Sequence, residues 1–279
     1  MALELERPGG RPTERSRVLR VRNGSRQELP DDLAAEEPLE IRLGGRAVAV
    51  TMRTPGHDAE LAAGFLVTEG IVHPADVAGV RECRSEEGDG GVADALLRPG
   101  ASPSGGWQRN FYATSSCGVC GKASIEAVRV TAGPVADGPA ITESVLEALP
   151  DRLREAQRVF DRTGGLHAAG LFTPGGDLLL LREDVGRHNA VDKVVGRAAL
   201  DGGLPLSDRI LLASGRASFE ILQKALVAGI PVVAAVSAPS SLAVRLARES
   251  NMTLIGFLRP GGFNVYAGGE RLAGAAPAG

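Results

Sequence analysis

Cysteine, aromatic residues and net charge are all scarce in this 279-residue chain. Three cysteines, unevenly spaced, are too few for a disulfide framework, so a cytoplasmic location is expected. Aromatic residues make up 4%, with a single tryptophan, and the core must be assembled from Ala, Val, Leu and Ile. A formal charge of -3 gives no electrostatic basis for a general nucleic-acid binder. An anionic ligand would need a few placed arginines or lysines. No run approaches the roughly 18 apolar residues of a membrane helix. The longest mostly apolar stretch, residues 230–238, is interrupted by Pro231 and Ser237 and closed by Pro239. The amino-terminal residues lack an apolar signal region, so neither export nor membrane association is expected. The common nucleotide fingerprints, G-x-x-x-x-G-K-[ST] and G-x-G-x-x-G, are missing too.

What is present describes a globular chain. Apolar residues reach 43%, and the 37 glycines and 17 prolines stay below the level of low-complexity sequence. Three parts are expected: a mobile tail over residues 1–25, an α+β part over 26–140, and an α/β part over 141–279. A linker is placed at residues 132–139. In the middle part, LEIRLGGRAVAVTMRT alternates around Gly-Gly as a hairpin should. DAELAAGFLVTEGIV follows as an amphipathic helix with Leu61, Phe65 and Leu66 on one face. In the last part, a polar-faced helix is expected over residues 142–163 and a hairpin from LHAAGLFT to DLLLLRED. Another helix is expected from about Asn189 to Leu200. Then RILLAS, GRASFEILQKALVAG, IPVVAAVS, APSSLAVRLARESN and MTLIGFL alternate strand and helix. That order is βαβαβ, with parallel strands and ligands beyond their carboxyl ends.

The sharpest chemical feature is SSCGVCGKAS, residues 115–124. Cys117 and Cys120 bracket two small residues ahead of a helix-compatible run. At a helix N-terminus and near Lys122, such cysteines favour the thiolate, the form that attacks a persulfide sulfur. A C-x-x-C pair is also half of a structural zinc site, but no second pair or H-x3-H is present. A catalytic zinc deaminase would carry H-x-E before P-C-x-x-C. Here Ser116 precedes Cys117, His57 and Glu60 are one residue too far apart, and Ala168 and Ala169 follow His167. A thioredoxin-like redox pair lacks its aromatic and Pro neighbours. No metal is expected. Cys83 has no partner motif and reads as a strand-end or buried thiol; Trp107 and Phe111 read as packing residues.

Two further groupings suit an anionic ligand. In REDVGRHNAVDKVVG, Arg187, His188 and Lys193 gather where a helix begins, although an ordinary strand-to-helix turn would look the same. His188 and Asp192, four apart, read equally as a surface pair. The strand-end loops SGRAS, SAPSS and FLRPGGFN carry Arg216, capping serines and a glycine-rich turn. Arg259, Asn264 and the phenylalanines of that turn suit a base and its phosphates; a plain β-turn into a final strand, NVYAG, is the simpler reading.

Taken in order, ELAAGFLVTEGI, SSCGVCGKAS, GGLHAAGLF, REDVGRHNAVDKVVG, SGRASFEILQKA, SAPSSLAVRLA and IGFLRPGGFNVY resemble the FdhD family. These are the formate dehydrogenase accessory sulfurtransferases, and the match runs from about Glu60 to Tyr266. The resemblance implies a sulfurtransferase that takes persulfide sulfur from a cysteine desulfurase. It passes the sulfur to the molybdenum bis(molybdopterin guanine dinucleotide) cofactor before that cofactor enters the formate dehydrogenase apoenzyme. It maps the persulfide carrier onto Cys117, with Cys120 as second cysteine. Cofactor binding maps onto Phe257, Leu258, Arg259, Pro260, Gly261 and Gly262, to which the strand-end reading adds Arg216. It also implies a homodimer and an α/β three-layer core like that of cytidine deaminases. The alternative class is a zinc-dependent deaminase-like or nucleotide-binding module using C-x-x-C structurally.

Overall fold

At the amino end of the computed structural model, an antiparallel ribbon of β1 (Thr13–Arg22) and β2 (Ser25–Ala34) turns at Asn23 and Gly24. Both turn residues have positive φ, as an Asn-Gly hairpin turn requires. The structure describes residues 10–84, 90–104 and 132–273. Cys117, Cys120, Lys122, Trp107, Phe111 and the helix expected after Cys120 lie outside the described residues, as do positions 85–89 of the SEEGDGG loop. The expected tail over residues 1–25 is corrected within the described part, since Thr13–Arg22 pairs along its whole length. This ribbon buries little on either face, and Leu19 and Val21 stay exposed. It therefore leaves no alternating apolar signal in the sequence.

Next come β3 (Glu37–Leu43) and β4 (Arg46–Arg53), the expected hairpin around Gly44-Gly45, then α1 (Asp58–Thr68), β5 (Val77–Arg84) and β6 (Gly91–Leu97). The four strands form one sheet in the order β4-β3-β6-β5, with β3 and β6 parallel. Helix α1 departs from the amphipathic reading. Ten of its residues are buried, Asp58 and Glu60 among them, because it lies between this sheet and a second helix layer.

The remaining chain runs β7 (Ile141–Thr142), α2 (Glu143–Ala156), α3 (Arg158–Thr163), β8 (His167–Phe172), β9 (Leu178–Asp184), α4 (Arg187–Leu200) and β10 (Ile210–Ala213). It continues with α5 (Phe219–Val227), β11 (Val232–Ala235), α6 (Ser241–Glu249), β12 (Thr253–Arg259), β13 (Gly262–Ala267) and β14 (Leu272–Ala273). The single helix expected over residues 142–163 is two, broken at Gln157. There Glu183 accepts the N–H groups of Val159 and Phe160 and so caps α3.

A six-stranded sheet follows the order β13-β12-β11-β10-β8-β9. Its centre, β10-β11-β12, is parallel, as the βαβαβ pattern predicts; β8, β9 and β13 are antiparallel. Helices cover both faces. Leu146, Leu149 and Leu153 of α2 pack on Phe172, Leu212, Ile255 and Leu258 on one side. On the other, α4, α5 and α6 share a core with α1 and the four-stranded sheet. That core draws on residues from both sides of the 132–139 segment, and burying it is the main source of stability. The fold is mixed α/β.

Helices α1 and α4 touch backbone to backbone. A Cβ on Gly64 would sit 1.8 Å from the Asp192 carbonyl oxygen, and one on Gly196 would sit 1.7 Å from that of Glu60. Only glycine fits at either place.

Candidate functional site

The parallel strands end together, and their loops are tied to one another. The Ser214 Oγ accepts the Ala168 N–H at 2.8 Å, while the Ser214 N–H donates to the Ala168 carbonyl at 2.9 Å. Ser240 donates its N–H to Ala217 at 3.0 Å, and Phe257 donates to Ser237 at 3.2 Å. These bonds hold the SGRAS, SAPSS and FLRPGG loops on one rim, the carboxyl edge where open α/β sheets place their ligands.

The β12–β13 turn is built from unusual backbone. Phe257 has φ of 54°, Gly261 has φ of 86°, and the pairing slips between Gly256 and Arg259. Gly256 is required as well, since a Cβ there would lie 2.8 Å from the Pro239 ring. The resulting bulge spreads Phe257, Arg259, Gly262, Phe263 and Asn264 around a cavity of about 460 Å³. Arg259, Pro260 and Gly261 are exposed, whereas Leu258 is fully buried beneath α2 and contributes packing. Arg259 and Pro260 also border a second cleft of about 660 Å³. Its walls include Arg154, Phe160, His167, Ser214 and Val236. Arg216 is exposed on its loop and lines neither cavity.

The Arg187–Lys193 grouping comes apart in the structure. Lys193 is 1% exposed and its Nζ lies 2.7 Å from Asp184 Oδ2, with a further bond to the Thr54 carbonyl at 2.9 Å. Asp184 also accepts from the backbone of Thr54 and Gly186 and from the Asn189 side chain. This lysine fastens α4 to β9 and to the segment after β4, so it cannot serve a ligand. His188 and Asp192 are not a surface pair either. His188 Nε2 meets the Ser218 Oγ at 3.1 Å and Glu220 at 3.4 Å. Asp192 accepts from Thr68 at 2.7 Å and from Lys224 at 2.9 Å. Sequence spacing marks these residues as charged but not as buried, because the partners sit on α1 and α5, far away along the chain.

His167 is the residue the sequence reading passed over, having tested it only for a zinc motif. It begins β8 beside Ser214 on the rim of the 660 Å³ cleft. Burial lowers its basicity, the charges of Arg187 and His188 lower it further, and Asp184 only partly opposes them. A histidine at the head of an apolar strand, two residues after a Gly-Gly, was the available signal. Cys83 sits at the end of edge strand β5 and is exposed, which corrects the buried option. Among the described residues no group of three His, Cys, Asp or Glu side chains could hold a metal ion.

With this geometry in place, the chain was compared with known proteins. The model of the FdhD/NarQ family matches residues 34–273. The chain belongs to that family. Among FdhD/NarQ relatives, the Streptomyces coelicolor protein named sulfur carrier protein FdhD is 59% identical over 273 residues, covering 95% of this chain and 97% of its own. The protein of the same name from Mycobacterium tuberculosis is 54% identical, covering 91% and 97%. That from Sulfurisphaera tokodaii is 43% identical, covering 93% and 98%. A crystal structure described as that of a formate dehydrogenase accessory protein, from Desulfotalea psychrophila, superposes with a TM-score of 0.75 at 26% identity. It spans 94% of this chain and 99% of its own. Like this chain's fold, the FdhD/NarQ assignment runs through both sheets and the strand-end rim. No described helix is long and apolar enough to cross a membrane.

Proposed function

We propose that this protein is a sulfurtransferase that carries sulfur as a persulfide on Cys117 and delivers it for formate dehydrogenase maturation. The observation that carries this reading is the SSCGVCGK segment in a chain whose relatives, at up to 59% identity, are named sulfur carriers. The Cys117 thiolate attacks the outer sulfur of a cysteine desulfurase persulfide. A new S–S bond forms, the old one breaks, and the donor leaves as a thiolate, so no external oxidant or reductant is needed. Lys122 supports the attack by favouring the anionic sulfur. Cys120 is the second member of the pair, as relay or protective partner.

The acceptor in this reading is the molybdenum bis(molybdopterin guanine dinucleotide) cofactor, treated as a bound substrate that guanine nucleotides mimic. The turn from Phe257 to Gly262 takes a guanine end, with Phe257 and Phe263 to stack it and Arg259 to meet phosphate. Arg216 supplies a further charge from the next loop. The same reading places a homodimer in the cytoplasm and relates the three-layer core to cytidine deaminases.

The test is restoration of formate dehydrogenase activity in cells lacking their own accessory protein. The wild-type chain should restore it, and Cys117→Ala should leave it at background while accumulating to the same level. Full activity with Cys117→Ala would overturn the reading.

A further inference from the structure

His167 and Arg187 converge on one glycine. A Cβ on Gly215 would lie 3.3 Å from His167 Nδ1 and 3.7 Å from Arg187 Cδ, so the glycine leaves both side chains room to approach the loop. The Arg187 Nε is buried and has no hydrogen-bond partner among the described residues. Leaving such a charged donor unmatched costs free energy, and an arriving oxyanion would remove that cost. Asp184 lies opposite His167 in the strand register but is already committed to Lys193, Gly186, Asn189 and Thr54. Among the described residues no carboxylate hydrogen-bonds the imidazole.

Resting on the proposed function, we infer that His167 and Arg187 form a phosphate site where they meet at Gly215, beside the cleft that His167 borders, and that His167 takes up a proton as phosphate binds. The charged groups acting on His167 are Arg187 and His188 from α4 and Asp184 from β9. Across the cleft stand Asp151 and Arg154 of α2 and Arg259 of β12. Burial lowers the basicity of the free imidazole most, and the charges of Arg187 and His188 lower it further against the opposing charge of Asp184. A phosphate between His167 and Arg187 reverses the local field: Arg187 is neutralised, and the imidazolium gains an anionic partner. Ser214 holds β10 against β8 and so fixes the width of the opening. The ligand class is a diphosphate, free or carried on a guanine nucleotide.

The chain has four histidines, so imidazole resonances can be followed one by one in the intact protein. Their titration by NMR, free and with saturating inorganic pyrophosphate, guanosine diphosphate or guanosine, tests the site. Without ligand, His167 should titrate below the ordinary histidine value. It should rise with both diphosphates and stay put with guanosine; a rise with the nucleotide alone would assign the site to nucleotide phosphates. Arg187→Gln should weaken diphosphate binding about 10-fold. A His167 unmoved by either diphosphate overturns the inference. The measurement involves no sulfur. A chain that carries persulfide while His167 fails to respond refutes only this site, and the converse result refutes only the carrier reading.

Discussion

Lys193 and Asp184 carry opposite charges at 1% and 0% exposure, and each is saturated by bonds to the other and to backbone. Removing one partner strands the other charge away from water, a cost of about 3–5 kcal/mol. Lys193→Met should therefore lower the denaturant midpoint sharply, and chemical denaturation measures it. Glu60 gives a pH signature. Burial alone would raise its pKa, but the Arg182 and His57 hydrogen bonds pull it down to about 2 from 4.5. The unfolded chain then binds protons more readily than the folded one between those values. Stability from Glu60 is full above about pH 4.5 and is lost as the pH falls toward 2. Glu60→Gln should reduce thermal stability at pH 7 and flatten the decline between pH 4.5 and 2, as melting curves across that range would register. Of these residues the sequence shows only the charges. Their burial depends on partners more than a hundred positions away, as with Glu60 and Arg182.

The meeting of α1 and α4 is the tightest joint between elements. Gly64 and Gly196 let two helices approach until backbone meets backbone, with no room for a side chain on either glycine. Gly196→Ala places a methyl within 1.7 Å of the Glu60 carbonyl position. Both helices must shift, so the cost should be about 3 kcal/mol or more, read as a lowered melting temperature. A melting temperature unchanged from wild type would contradict the joint. Periodicity made the elements of the βαβαβ segment readable, because short β-branched runs and helices of regular length alternate there. It misled on α1, which is buried nearly all round, and on β1, which is buried on neither face. Those two extremes erase the contrast on which periodicity depends. The strand-end rim was anticipated from the parallel order alone. The bulge at Phe257 was not, since a positive φ at a phenylalanine comes from tertiary constraint.

For the whole molecule, the low aromatic content fits a core of small aliphatic residues that links both sheets, and with a net charge of -3 the proposed recognition of an anionic cofactor rests on a few arginines. Arg259 borders both strand-end clefts, Arg187 lies beside His167 at Gly215, and Arg216 stands exposed on that same loop. The C-x-x-C pair among glycines and serines is a local feature visible in the sequence without a tertiary partner. By itself it reads equally as half of a zinc site, and the carrier role came from the family resemblance. The measurement that bears most directly on the carrier role is intact-mass analysis after incubation with a cysteine desulfurase and cysteine. The account predicts one added sulfur atom, removed by reductant, retained in Cys83→Ser and absent when Cys117 and Cys120 are both replaced. Sulfur added equally to that double variant, or no addition to the wild-type chain, would contradict it.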